Sequence, residues 1–378
     1  MRKQRWLGAS AALVSLMLVL AACQAGTSPS ASAGGSAPAS AGASAAPSSY
    51  LACEVTDTGG VDDKGFNQNA HEGLLKAAAD FKIQTKLLES TADTDYAPNL
   101  VAMRDAHCDL IVTVGFLLGD ATRAAALLNP DIKYSIVDYA YTPPIPNILG
   151  LVFDTKSASM LQGYLAAGMS TTGKVGTFGG IQIGPVTDFM NGFAAGVNYY
   201  NQQKGTKVKL LGWDATKQTG TFTGDFSDQD KGRTTAEGLM QEGADVIMAV
   251  AGPVGQGAMA AVKANAAGLS PAPIFIGVDV DQFLSVPGYE NIMMSSVLKR
   301  IDNAVYEAVK EAMAGDFPSN LYVGTLKNDG VGAAPFHNFD SKVSAALKGE
   351  VDALKAKLID GSVTVDAFSG QPPASAAP

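Results

Sequence analysis

The sequence is poor in what a metalloprotein or a nucleic-acid binder needs. Of its 378 residues three are Cys and three are His. None of them stand at metal-ligand spacing, which argues against a zinc or iron–sulfur site. Charge is scarce, at 17% of residues, and has the wrong sign for phosphate neutralisation, with 27 Lys+Arg against 36 Asp+Glu and a formal charge of −9. No basic stripe is present, so a nucleic-acid partner is excluded. Neither the GxGxxG nor the GxxxxGK[ST] spacing occurs, and no Ser/His/Asp or Cys/His set is visible. The expectation is binding rather than turnover, with no cofactor and no metal. What the chain does have is apolar content, at 47%, and length for about two domains that fold without needing disulfides.

The N-terminus sets the expected compartment. Arg2, Lys3 and Arg5 form a basic leader, and residues 7–20 are an apolar run of signal-peptide length, too short to span a bilayer comfortably. Leu20-Ala21-Ala22-Cys23 closes the run and resembles a bacterial lipobox, in which the cysteine is lipidated and becomes the new N-terminus. An ordinary secretory signal cut elsewhere is the alternative. Residues 1–22 therefore read as a lipoprotein signal peptide and Cys23 as the lipidated residue of an extracytoplasmic protein anchored to the bacterial cell membrane. Residues 23–49 are almost wholly Ala, Ser, Gly, Pro and Thr and read as a disordered tether. Residues 367–378 read as a flexible tail.

Between tether and tail, short apolar runs ending in Gly or Asp alternate with helical patterns. Strands are expected at 51–56, 82–88, 110–114, 134–137 and 148–153, then at 174–178, 208–213, 246–250, 274–278 and 292–297. Helices are expected at 68–81, 96–106, 119–129, 156–169, 187–201, 231–242, 255–267 and 301–314. Such alternation predicts an α/β protein with parallel sheets covered on both faces. A faint repeat splits it in two. Cys108-Asp109-Leu110-Ile111-Val112-Thr113-Val114-Gly115 is similar to Ala244-Asp245-Val246-Ile247-Met248-Ala249-Val250-Ala251-Gly252, and the next strand of each half ends in aspartate, Asp138 and Asp279. Two doubly wound lobes facing each other would line one cleft with the carboxyl ends of their strands, where such sheets bind ligands.

The first strand runs into a polar, Gly-rich loop, Thr56-Asp57-Thr58-Gly59-Gly60-Val61-Asp62-Asp63-Lys64-Gly65-Phe66-Asn67. Asp57 at the strand end can reach the cleft. Asn67 reads as a ligand contact or a helix N-cap, and Phe66 as a stacking ring or a hydrophobic staple. Asp62 and Asp63 are assigned to the helix N-terminus electrostatically.

This loop resembles the opening signature of the basic membrane protein family of substrate-binding lipoproteins, the purine-nucleoside receptors of ABC transporters. Further similar stretches follow in order over about residues 50–330: Val114-Gly115-Phe116 with Asp120-Ala121, Gln162-Gly163-Tyr164, the Phe189 to Gly196 helix, Asp225-Phe226-Ser227-Asp228, Ala251-Gly252-Pro253, Gly277-Val278-Asp279 and Ser295-Ser296-Val297-Leu298-Lys299. The resemblance implies a type I periplasmic-binding-protein fold with a three-crossing hinge, crossings near 153–154, 278–282 and 316–323. Lobe 1 would then hold residues 50–153 and about 281–320, and lobe 2 about 154–280 and 321–366. It implies a purine nucleoside stacked between Phe66 and Phe226, with Asp279 and Lys299 on the ribose. Asp57, Asn67 and Asp120 would read the base edge or complete the ribose network, Phe116 would sit in the second cleft loop, and Gly252 would admit close backbone approach. Its implied partners are a nucleoside or related small ligand, an ABC permease and its ATPase, and the membrane; the chain is expected to act as a monomer.

Each residue also has a plain structural reading. Phe226 packs in a core, Asp279 forms an Asx turn, Lys299 lies on the surface, and Asp120 is an N-cap. Asp138 is read as structural, and Trp213 as core. Two positions depart from the family pattern: Gly65 replaces a serine, and His71 stands near an expected tryptophan. Cys53 lies in the first strand and Cys108 just before the strand that would neighbour it in a doubly wound sheet; they read either as a disulfide or as two buried thiols. The competing functions are a receptor for a sugar or other small ligand, a ligand sensor of the same fold, and a hydrolase or reductase.

Overall fold

In the computed structural model, which describes residues 49–268, 270–315, 317–318 and 321–370, the alternation becomes two six-stranded sheets. The first half supplies β1 (Leu51–Thr56), α1 (Phe66–Phe81), β2 (Gln84–Leu88), α2 (Tyr96–Asp105), β3 (Leu110–Val114), α3 (Gly119–Leu128), β4 (Lys133–Val137) and β5 (Ile148–Phe153). The second supplies α4 (Thr155–Met169), β6 (Lys174–Gly179), α5 (Gly184–Lys204), β7 (Lys209–Leu211), a ribbon of β8 (Trp213–Asp214) with β9 (Thr219–Gly220), α6 (Gln229–Gln241), β10 (Val246–Val250), α7 (Pro253–Ala266), β11 (Ile274–Asp279), α8 (Gln282–Ser285) and β12 (Met293–Lys299). Then follow α9 (Ile301–Ala314), β13 (Leu321–Gly324), β14 (Val331–Ala333), α10 (Ala345–Asp360) and α11 (Asp366–Ser369).

The strand orders are β2-β1-β3-β4-β5-β13 and β7-β6-β10-β11-β12-β14, the same doubly wound order twice, parallel except for β14. The central strands are buried along most of their length because helices cover both faces. The sequence repeat has a physical counterpart. The backbone N–H of Asp109 donates to Leu51, at the start of β1, at 2.9 Å, and that of Asp245 to Lys174, at the start of β6, at 3.1 Å. Each carboxylate in turn accepts backbone N–H groups beside that start, from Leu51 on one side and from Thr171 and Thr172 on the other. The same residue type thus pins the first strand of each lobe to its third.

The hinge differs from the sequence expectation at two of its three crossings. The chain first crosses after Phe153, where β5 ends and Asp154 caps α4 of the other lobe. It does not cross at 278–282. Those residues end β11 and form α8, and β12 returns to pair with β11 in the second sheet. The second crossing is therefore at Lys299–Arg300, after which α9 packs on α1. Tyr306, on α9, bonds Asp80 of α1 at 3.1 Å. The third crossing follows β13, which belongs to the first sheet through its pairing with β5. Residues 281–299 thus belong to lobe 2 and 321–324 to lobe 1, the reverse of the expected assignment. The tail boundary shifts too. Residues 367–369 lie in α11, held to α5 by Asn198 Nδ2 donating to the Phe368 carbonyl at 2.9 Å and by an edge-on contact between Tyr199 and Phe368.

Helices α4 and α5 lie backbone to backbone. A Cβ at Gly163, Gly192 or Gly196 would come within 2.2 Å of a carbonyl oxygen on the facing helix. Two of the stretches that carry the family resemblance, around Gly163 and from Phe189 to Gly196, therefore serve helix contact. Cys53 and Cys108 form a disulfide joining the middle of β1 to the position two residues ahead of β3, with 5.9 Å between their Cα atoms. Trp213 is buried, its indole N–H donating to Asn191 at 3.0 Å. The signal peptide, Cys23, the tether up to residue 48 and the tail from residue 371 lie outside the described residues.

Candidate ligand-binding site

The carboxyl ends of the two sheets face each other across a cavity of about 70 Å³. The first lobe contributes Asp57, Thr58, Asp63, Phe66, Asn67, Phe116 and Asp138; the second contributes Ile183, Pro185, Val186, Phe189, Phe226, Val250, Ala251, Gly252, Pro253, Asp279 and Lys299. The structure brings Asp57, Phe66, Asn67, Phe116, Phe226, Gly252, Asp279 and Lys299 together in one lining. Asp120 is the exception. It is exposed in the first turn of α3, where a carboxylate favours the helix dipole, so its expected place in the ligand network is not observed.

The loop after β1 is rigid by its own hydrogen bonding. The buried Asp63 carboxylate accepts the N–H groups of Gly65, Asn67 and Gln68 at 2.9, 2.8 and 3.1 Å. It thereby satisfies the first orphan donors of α1. Asn67 is consequently inside the helix and not its cap. Its amide is free to face Asp57, donating to Oδ1 at 3.1 Å. Asp57 in turn leans over Gly115, where a Cβ would stand 2.1 Å from its Oδ2. That glycine sits at φ +122, and both constraints require a residue with no side chain.

Phe226 is held just as firmly. Asp225 accepts the N–H groups of Ser227 and Asp228 at 2.9 and 2.7 Å and pairs with Lys231. This ion pair and these bonds hold its carboxyl down at about 2. Asp228 caps α6, and the Phe226 carbonyl accepts from Val254 at 3.3 Å. The ring is thus presented to the cleft from a braced loop.

Lys299, 2% exposed, ends β12 in the middle of the site. Its ammonium donates to Asp138 of the facing lobe at 2.5 Å and lies 4.7, 5.3 and 5.8 Å from the ring centres of Phe66, Phe153 and Phe189. Asp138 and Asp279 occupy equivalent strand ends, both in the left-handed region at φ 69 and 67. Burial pushes the Asp279 carboxyl up to about 7 although Lys299 pulls it down, and pushes Asp57 up to about 8 against the pull of its bond from Asn67. Asp279 accepts no hydrogen bond from the described residues, whereas Asp57 has Asn67.

Sequence reasoning missed Asp138, Asp63 and Phe189 as lining residues. The signal for Asp138 was its match to Asp279 in the repeat. His71 does not face the cleft. Its Nδ1 meets the fully buried Glu54 of β1 at 3.0 Å, a contact that raises the imidazole above its ordinary range.

A family model described as "ABC transporter substrate-binding protein PnrA-like" matches residues 51–365. Among curated proteins, the chain is 33% identical to "Basic membrane protein A" of Borreliella burgdorferi, covering 81% of this chain and 85% of that protein. It is 30% identical to "ABC transporter nucleoside-binding protein BmpA" of Lactococcus lactis, covering 96% and 99%. Among solved structures, an ABC transporter system solute-binding protein from Aeropyrum pernix aligns with TM-score 0.75 and 29% identity over 83% of this chain and 92% of that one. The transcription regulator CcpA of Lactococcus lactis aligns with TM-score 0.54 at 15% identity over 73% and 96%, a likeness of fold alone.

The raised carboxyls set a pH dependence. Asp57 and Asp279 hold protons more tightly folded than unfolded, so the stability they contribute is full below about pH 4 and is lost as pH rises through about 7 and 8. In ligand-free protein, denaturant unfolding should show stability falling by a few kcal/mol between pH 5 and pH 9. Asp57→Asn with Asp279→Asn should flatten that slope; an unchanged slope in the double variant would show that these two groups do not carry it.

Proposed function

The chain belongs to the family of PnrA-like ABC transporter substrate-binding proteins, and from that premise we propose that it captures a purine nucleoside between its lobes and delivers it to a permease. The observation that carries this reading is the convergence of Phe66 and Phe226, from opposite lobes, on one cavity that also holds Asp279 and Lys299. A nucleoside offers two π-faces, a polar base edge and vicinal hydroxyls. The two rings meet the faces, and each base–aromatic stack contributes about 1–3 kcal/mol. The Asp279 carboxyl lines the cavity beside Lys299, placed to meet ribose hydroxyls. At neutral pH Asp57, with its carboxyl near 8, is largely protonated and has a proton to donate. Asn67 Oδ1 is buried without a partner among the described residues. Together they form a mixed donor–acceptor pair suited to a purine edge. The relative from Lactococcus lactis named as nucleoside-binding supports the same ligand class.

The site offers nothing for a phosphorylated ligand. Four acidic side chains, Asp57, Asp63, Asp138 and Asp279, line the cavity with a single ammonium, and that ammonium is already engaged by Asp138. A nucleotide would bring further negative charge into a buried acidic cleft. Capture requires the lobes to part and close about the three crossings, and one chain supplies both walls, so a monomer suffices. We place the protein outside the cytoplasmic membrane, tethered through a lipidated Cys23. That placement rests on the basic leader, the apolar run and the lipobox-like Leu20-Ala21-Ala22-Cys23. Among the described residues no helix is long and apolar enough to cross a membrane.

Calorimetric titration of refolded protein with inosine, guanosine, adenosine, uridine, ribose, galactose and a nucleotide tests the ligand class. Purine nucleosides should bind tightest, the nucleotide should not bind, and Phe226→Ala or Asp279→Ala should weaken binding roughly ten- to hundredfold. Binding of ribose or galactose alone would overturn the stacking reading in favour of a sugar receptor. Metabolic labelling with a radioactive fatty acid should mark the wild type and leave Cys23→Ala unlabelled; equal labelling of both would remove Cys23 as the anchor.

A further inference from the structure

The loop that carries Asp57, Phe66 and Asn67 also touches the opposite lobe through two backbone carbonyls, whose donors, Gln256 and Ser285, are not among the cavity-lining residues. Gln256 Nε2, in the first turn of α7, donates to the Asp63 carbonyl at 2.9 Å. Ser285 Oγ, at the end of α8, donates to the neighbouring Lys64 carbonyl at 2.8 Å. Both donors belong to lobe 2 and both acceptors to lobe 1. All four residues are at most partly exposed, which places the pair of bonds at the rim of the cleft.

The acceptors are presented, not incidental. Asp63 is fixed because its side chain holds three N–H groups of the loop and helix start. Lys64 adopts the left-handed conformation, φ 60, which non-glycine residues enter only when the surroundings require it. The donors are equally placed. α7 follows the cavity-lining Gly252 and Pro253. α8 follows directly on Asp279 and is tied to β12 by Gln282 N–H donating to Ser296 Oγ at 3.1 Å.

We infer that Gln256 and Ser285 are positioning residues that latch the closed cleft, setting ligand residence time without touching the ligand; the inference rests on the reading that this protein binds by lobe closure. Opening the lobes separates both donors from both acceptors at once, and both ends of each bond then return to water. The two bonds therefore contribute only to the closed state. Observed affinity scales with the population of the closed, binding-competent state, and the contribution of a contact formed after encounter appears chiefly in the dissociation rate. The rigid loop gives the latch a second consequence. Because Asp63 and Lys64 stand immediately ahead of Phe66 and Asn67, engaging their carbonyls also holds the stacking ring and the Asp57–Asn67 pair in register with Phe226.

The test compares wild type with Gln256→Ala, Ser285→Ala, the double variant and Ser285→Thr, which keeps the hydroxyl. Stopped-flow measurements with inosine, guanosine and adenosine give association and dissociation rates, and small-angle X-ray scattering on ligand-free protein reports lobe opening with no ligand at all. Each alanine variant should dissociate roughly fivefold faster, the factor contributed by one neutral hydrogen bond, and the double variant roughly twenty-five-fold faster if the two act independently. Association rates should hold, and Ser285→Thr should behave as wild type. Unchanged dissociation rates would overturn the latch even if nucleosides bind tightly. If wild type binds none of the nucleosides, the ligand reading fails separately: an expanded radius of gyration in the double variant would then support the latch, and an unchanged one would overturn it.

Discussion

The site is organised around one buried cation. Lys299 is the last residue of the strand from which the chain crosses back to the first lobe, and its ammonium reaches Asp138 on that lobe while its own strand neighbours Asp279. Its carbonyl accepts from Asn69 of α1 at 2.8 Å, so backbone and side chain both bridge the lobes. Burying an ammonium is costly unless it is paired and surrounded, and here a carboxylate and three aromatic rings surround it. Remove the cation and Asp138 loses its partner, while Asp57 and Asp279 lose the positive charge that favours their ionised forms. The pair is a device of placement rather than of net stability. It fixes where the lobes meet and where the rings of Phe66 and Phe189 stand.

The second organising fact is repetition. The same strand order appears twice, with an aspartate at the foot of each third strand holding the first and an aspartate at the head of each fourth strand turned left-handed toward the cleft. A single lobe would present one such carboxylate on an open sheet edge. Two lobes face to face put both against one lysine, and so turn a generic property of doubly wound sheets, ligand binding outside the carboxyl ends, into an enclosed site. The closed geometry is then held from two directions, by the ion pair near the crossings and by the rim bonds of Gln256 and Ser285.

Much of this was legible in the residues. The parallel strands announce themselves as β-branched runs ending in Gly or Asp, and the loop around Phe66 and Asn67 stands out as polar and Gly-rich beside one aromatic. The elements that escaped did so for physical reasons. β13 and β14 have four and three residues, too short for a period-2 pattern to declare itself, so no local pattern marks the third crossing after β13. Asp279-Val280-Asp281-Gln282 has the composition of a linker, yet its chain turns through a short helix and returns to the same sheet, a long-range pairing that no local pattern encodes. Asp120 and Asp138 carry no local signal that tells an outward position from a cleft-lining one. Both are polar residues just past a strand, and what separates them is direction: Asp120 rides the outer turn of a helix, while Asp138 takes a left-handed φ of 69 that turns it to Lys299. Asp63 shows that a helix-capping carboxylate can also line a cleft.

The central claim is that the two lobes sandwich a planar base between rings that neither lobe holds alone. A crystal structure of the protein grown with a purine nucleoside tests it most directly. The base should lie between Phe66 and Phe226, with its edge at Asp57 and Asn67 and its ribose hydroxyls on Asp279 and Lys299. A nucleoside bound in the cleft without contact to one of the two rings, or bound elsewhere on the molecule, would contradict it.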